Sequence, residues 1–221
     1  MSRMECFLLR SWLPMARRIS DPDLRKLVID LLENRIPAVD GSDCRTWLYV
    51  DRDQIAGLSG LARSSDDDLI RLWLSVMIWG YVTDHRGPSR VAEALAVGGS
   101  EMIERLRTSL DRIDSGELGD AYRGSQRMGV SRLPRVGRSF FTKWFWAVGV
   151  GAQSLPTTLL TLDDKVVATL KRLGGPWWAG RCSEDVRYVD YCALVTEVSQ
   201  VLKFDGNNLC PEQIEYGLYL L

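Results

Sequence analysis

What this sequence has little of narrows it first. Histidine occurs once, at His85, and no Ser-His-Asp or Cys-His arrangement surrounds it, so nucleophilic catalysis of that kind has no support. It reads as a solvated loop histidine, with a DNA contact as the other use. The five cysteines, Cys6, Cys44, Cys182, Cys192 and Cys210, are scattered and form no C-x-x-C pair. Neither a zinc site nor a four-cysteine iron–sulfur loop is expected, and no cofactor is called for; the thiols read as reduced, in a cytoplasmic protein. No apolar run approaches the roughly 20 residues that cross a bilayer, and the interrupted run in MSRMECFLLRSWLPMARR is too short for a signal peptide. Charge of one sign is not in excess: 28 Lys and Arg face 29 Asp and Glu. Bulk positive charge therefore cannot hold this chain on nucleic acid, and any such contact must come from a local patch. Internal repeats and low-complexity tracts are absent, and one short stretch, Trp47-Leu48-Tyr49-Val50, is the only strand candidate.

What is present is mostly helical pattern, with a hydrophobic share of 46% that is ample for a core. Residues 1 to 19 predict a short amphipathic helix broken near Pro14. Asp21-Pro22 gives an N-cap with proline at the first helical position, and Leu24, Leu27, Val28, Leu31 and Leu32 follow at helical spacing to about Arg35. Asp51 to Leu61 is helical again. Asp66 to Tyr81 opens with three acids suited to a helix N-terminus and is apolar nearly all round, which predicts a buried central helix. Gly87-Pro88 feeds a helix at Ser89, another runs from Glu101 to about Ile113, and Asp114 to Arg127 holds a further one. Beyond residue 160 the pattern predicts a helix from Asp163 to Leu173 closed by Gly174-Gly175. A stiff aromatic loop at 176–180 follows, then a long helix capped by Ser183 and running to about Phe204, and a last one opened by Pro211.

The stretch from Val130 to Val167 carries the chemistry. Leu133-Pro134-Arg135-Val136-Gly137 is a tight hairpin that opens an apolar helix, so the free N–H groups of Val136 to Ser139 and the helix dipole would face a phosphate. Leu162-Asp163-Asp164-Lys165-Val166 follows about 25 residues on. Together these resemble the helix-hairpin-helix DNA glycosylase superfamily, in particular its 8-oxoguanine glycosylase branch. Trp79-Gly80-Tyr81 through Gly87-Pro88-Ser89-Arg90 widens the likeness, which covers about residues 70 to 221. Arg135 departs from the family's hairpin Gly, a position that often needs positive φ and that Arg takes up only with strain.

The resemblance implies a mainly α, two-lobed helical glycosylase fold in one domain, with an N-terminal part at 1–65 and the hairpin pair at about 115–150. It implies that Asp163 is the catalytic carboxylate; Asp164 competes, since one of the two can N-cap the next helix while the other faces the cleft. Lys143 is the second catalytic candidate. The family's lysine falls at the place of Ser139, one turn earlier, and the helical stripe through Lys143 contains Ser139 and Ala147, with Phe140, Phe141, Trp144 and Phe145 on other sides. Lys143 either attacks the sugar or contacts a phosphate. Arg132, Arg135 and Arg138, with Arg123 and Arg127, make a basic patch or else a solvated arginine-rich loop. Trp177 and Trp178 either stack on a flipped base or pack on a helix.

The function expected is base excision from duplex DNA by a monomer, leaving an abasic site. The paired indoles lean it toward a hypermodified phage base such as glucosylated hydroxymethylcytosine, in anti-phage defence. The alternatives are 8-oxoguanine repair with AP lyase activity, a non-catalytic helix-hairpin-helix DNA-binding module, and a helical protein adaptor.

Overall fold

The computed structural model describes residues 6–34, 47–81, 84–152, 155–174, 182–204 and 206–221. They are mainly helical, as the pattern predicts, and divide into two compact units: residues 1–107 with 133–136, and residues 108–132 with 137–221.

The first unit is built on the predicted central helix. Its helices are α1 (Leu9–Ala16), α2 (Pro22–Asn34), α3 (Arg52–Ser59), α4 (Asp66–Tyr81) and α5 (Gly87–Leu95), and α6 (Gly99–Asp114) begins within it. Helix α4 buries residues on every side, among them Leu69, Leu72, Trp73, Leu74 and Met77, and α2, α3 and α5 pack on it. Each such side chain contributes about 2 kcal/mol by leaving water. The helix is started by Ser65, whose Oγ accepts from the Asp68 N–H at 3.1 Å and donates to the Asp68 carboxylate at 2.7 Å. Asp21 does more than the predicted capping of α2. One carboxylate oxygen accepts from the N–H groups of Asp23 (3.1 Å) and Leu24 (3.0 Å), while the other accepts from Gly99 at the start of α6 (3.0 Å). Two helix N-termini share one anion.

The second unit holds α7 (Leu118–Ser125), α8 (Arg138–Val150), α9 (Asp164–Arg172), α10 (Glu184–Val201) and α11 (Pro211–Leu220). Helix α10 packs against α7 and α11, and α9 against α11. Rings fill the interior: Tyr122 stacks on Tyr188 at 5.1 Å between centroids and meets the edge of Phe141 at 4.9 Å.

The local elements differ from expectation at several points. The N-terminal segment is a strand, β1 (Cys6–Leu8), followed by α1, which continues through Pro14 instead of breaking there. Proline removes one ladder hydrogen bond, and in so short a helix the burial of Trp12, Met15 and Ala16 outweighs that loss. The strand candidate is confirmed as β2 (Trp47–Tyr49), antiparallel to β1 with Cys6 opposite Tyr49. Helix α5 begins at Gly87, two residues before the predicted Ser89, with Pro88 in its first turn. Helix α7 is shorter than the predicted span 114–127. Helix α10 ends at Val201, because Leu202 is extended and Lys203–Phe204 pairs with Asn207–Asn208 as strands β3 and β4. Ser183 is the N-cap residue of α10 but makes no capping bond to its backbone.

Candidate active site

Asp163 sits where an extended segment of the second unit turns into α9. Leu159, Leu160 and Leu162 are buried, and a buried extended chain must find partners for its N–H and C=O groups. Side chains of α8 and α10 supply them. The Leu162 N–H donates to Thr142 Oγ1 at 2.9 Å, and that hydroxyl donates onward to the Arg138 carbonyl at 2.9 Å. Tyr188 donates to the Leu160 carbonyl (3.0 Å), Tyr191 to the Thr161 carbonyl (3.2 Å), and the Thr158 N–H donates to Thr196 Oγ1 (3.1 Å). The residue before Asp163 is thus bonded directly to the residue before Lys143, which fixes the start of α9 on the flank of α8.

Asp163 is the N-cap of α9, half-buried, with extended backbone (φ −88°, ψ 176°). Its Oδ1 accepts from the Lys165 N–H (2.9 Å) and the Val166 N–H (3.0 Å), which leaves Oδ2 with no partner among the described residues. The two adjacent aspartates therefore divide differently from the expectation. Asp163 does the capping itself and still keeps one free oxygen. Asp164 is almost fully exposed and pairs with Arg138, whose guanidinium also lies 3.6 Å from Glu184.

Helix α8 begins with no side-chain cap. The Val136 N–H is spent on the Leu133 carbonyl at 3.3 Å and that of Phe140 on the Gly137 carbonyl at 2.9 Å. The donors without an acceptor among the described residues are therefore Gly137, Arg138 and Ser139, without the Val136 of the predicted set. Arg135 has φ +61°, the left-handed conformation that the resemblance implies for its position, and donates to Glu93 at 2.6 Å. Lys143 lies back along its helix, as long helical side chains do. Its Nζ donates to Ser139 Oγ at 2.9 Å and lies 3.4 Å from the Ser139 carbonyl. The ammonium thus reaches the helical position of the family's lysine. It also stands 5.5 Å from the Phe140 ring, which was expected on another side.

Of the basic patch, Arg123 binds Asp120 and Asp185, Arg135 binds Glu93, and Arg138 binds Asp164 and Glu184. Much of it is internally neutralised. Asp185 is buried, which on its own would raise its pKa; hydrogen bonds from Ser183 and Arg123 outweigh this and hold it below the ordinary carboxylate value. Arg132 is exposed, and Arg127 is exposed with no ion pair among the described residues. His85 is exposed, as read from its loop. Trp177 and Trp178 lie outside the described residues. Thr142, Tyr188 and Tyr191 hold the segment before Asp163 through bonds that sequence reasoning missed; a threonine beside Lys143, inside the otherwise apolar run from Phe140 to Val150, was the available signal.

The chain is mainly helical, consistent with an all-α DNA glycosylase fold. Residues 24–219 match the family model described as "Putative 8-oxoguanine DNA glycosylase OGG-like protein", and the chain belongs to that family. Membership implies a DNA glycosylase and a DNA-binding protein. Comparison with curated proteins and with solved structures finds no match in either set. No described helix is long and apolar enough to cross a membrane.

Proposed function

We propose that this protein is a DNA N-glycosylase that turns a modified base out of duplex DNA and releases it, with Asp163 as the carboxylate beside the reacting sugar. The observation that carries this is the division of labour within Asp163: Oδ1 is fixed by two N–H donors, and Oδ2 has no partner among the described residues. As the bond from the sugar to the base weakens, positive charge grows on the sugar. A carboxylate already held in place stabilises that charge without having to reorganise, an effect of about 3 kcal/mol or more. Helix α7, the turn at 133–136 and α8 are read as the helix-hairpin-helix pair, with the N–H groups of Gly137, Arg138 and Ser139 as the phosphate donors. Lys143 is read as a phosphate contact or, once deprotonated, as the nucleophile of a lyase step. The protein is read as a cytoplasmic monomer.

The family description puts 8-oxoguanine first among substrates. A second reading, a glucosylated hydroxymethylcytosine removed from phage DNA in defence, is favoured by the adjacent indoles Trp177 and Trp178, which suit stacking on a base that carries a sugar. The test exposes an oligonucleotide with 8-oxoguanine and a glucosylated phage genome to the purified protein and counts alkali-labile sites, with Asp163→Asn as control. Breaks in one substrate alone assign the base. Breaks that persist in Asp163→Asn overturn its role, and no breaks in either DNA, with duplex binding intact, favours the non-catalytic module. Borohydride trapping of a covalent adduct, lost in Lys143→Ala, is the outcome expected of a lyase.

A further inference from the structure

The connection from α7 to α8 contains an exposed turn that the proposed chemistry leaves unused. It is firmly held. The Gly129 N–H donates to the Gln126 carbonyl (2.9 Å), Ser131 to Gly124 (2.9 Å) and Arg132 to Gly129 (3.2 Å), and the Gln126 side-chain amide donates to Glu184 at 2.9 Å. Gly129 is required there, since a Cβ would stand 2.2 Å from the Gly124 carbonyl oxygen. At the tip, Met128 has φ +76° and is 90% exposed, and Val130 is 63% exposed. Left-handed backbone costs a methionine what it would not cost glycine or asparagine, and burial returns nothing at that exposure. Folding therefore gives no reason for an apolar side chain at this position. Arg127, exposed and without an ion pair among the described residues, precedes it, and Arg132 follows.

We propose that Met128, with Val130 beside it, is an apolar wedge that enters the base stack of duplex DNA as the target nucleotide leaves it, while Arg127 holds the adjacent phosphate. This rests on the glycosylase reading above. Extrusion of a nucleotide leaves a gap in the stack, and an unbranched, polarisable side chain on a rigid turn fills such a gap without a large loss of entropy on binding. The cationic flank and the absence of acidic residues from the turn suit a polyanionic partner.

The experiment titrates the full chain onto a duplex that carries 2-aminopurine next to a stable abasic analogue, reading fluorescence for unstacking and anisotropy for binding. The parent protein should raise the fluorescence. Met128→Ala should lose most of that rise while Kd changes about twofold or less, because phosphate contacts carry affinity. Met128→Gly, which also removes the positive-φ strain and should melt no lower than the parent, should lose the rise equally, and Met128→Leu should keep it. An undiminished rise in the Ala and Gly variants overturns the wedge. So does salt-dependent binding by the parent with no rise, and in both cases the glycosylase reading stands. If the parent shows no salt-dependent duplex binding, the DNA reading itself falls and takes the wedge with it.

Discussion

Helices α4 and α8 begin in opposite ways. Ser65 caps α4, and three aspartates, Asp66, Asp67 and Asp68, fill its first turn, so the partial positive charge of its N-terminus is met from within the chain. Helix α8 is entered from Gly137, without a side-chain cap or an acid in its first turn, and three N–H groups are left without acceptors among the described residues. The first arrangement stabilises a buried core helix. The second gives up that stabilisation and leaves donors that, on the function proposed above, face a phosphate of DNA. Helix α9 combines the two arrangements: Asp163 caps it with one oxygen, and the other has no partner among the described residues. A carboxylate can thus serve the fold and still be available for chemistry.

The largest effect should come from splitting those two duties of Asp163. Asp163→Asn keeps a capping oxygen and removes the charge, so base release should fall by about 10²-fold or more with stability nearly unchanged. Asp163→Ala should lose the same activity and about 1 kcal/mol of stability in addition. Single-turnover rates and urea midpoints on both variants check this, and equal stability in the two would mean that the cap contributes nothing. Next in size is Asp21, whose carboxylate closes two N-termini of the first unit. Asp21→Ala should cost about 2 kcal/mol. The N–H donors of Leu24 and Gly99 hold its pKa below the ordinary carboxylate value. Its contribution is then complete above the unfolded value of about 4 and is lost as pH falls through the lower folded value. The gap in melting temperature between parent and variant should accordingly narrow toward acid pH.

Much of this contrast was legible in the sequence. The acids before Leu69, the Asp21-Pro22 cap, the hairpin leading into Gly137 and the position of Asp163 are all local signals, fixed by residues within a turn or two of one another. What could not be read is long-range pairing. The Thr142 to Leu162 bond spans 20 residues, Arg138 to Asp164 spans 26, and Tyr188 to Leu160 spans 28. Only the folded packing of α8 and α10 decides which side chain meets which carbonyl. Strand β1 was misread for the same reason, since three residues become a strand only through a partner some forty positions away. The acid partners of Arg123, Arg135 and Arg138 could not be read from the patch either, since Asp185, Glu93 and Glu184 reach them from distant parts of the chain.

The open terminus can be converted into a closed one. At Gly137 the backbone is extended (φ −89°, ψ −179°), the conformation of an N-cap residue, and no atom lies within 4 Å of where a Cβ would go. Gly137→Asp should therefore fit without strain and supply α8 with the kind of cap that α4 has. Stability should rise by about 0.5 kcal/mol. Duplex affinity should fall about tenfold, and the salt slope should flatten by about one unit, because the new carboxylate takes the place of a phosphate. A gain in stability without a loss in affinity would show that these N–H groups do not face DNA.

The smallest expected effect lies two residues earlier and tests whether the hairpin's departure from the family pattern matters to the fold. Arg135 holds a left-handed backbone that glycine adopts freely, and its exposed side chain is paired with Glu93. An exposed ion pair contributes little, since both groups are well solvated when apart. Relief of the backbone strain should outweigh its loss, so Arg135→Gly should raise the melting temperature by about 3 °C or less. Glu93→Gln removes the pair and leaves the backbone as it is, and it should leave the melting temperature within about 1 °C of the parent. If Glu93→Gln lowers it by more than Arg135→Gly raises it, the ion pair and not the backbone sets the balance at this turn, and arginine there stabilises the fold.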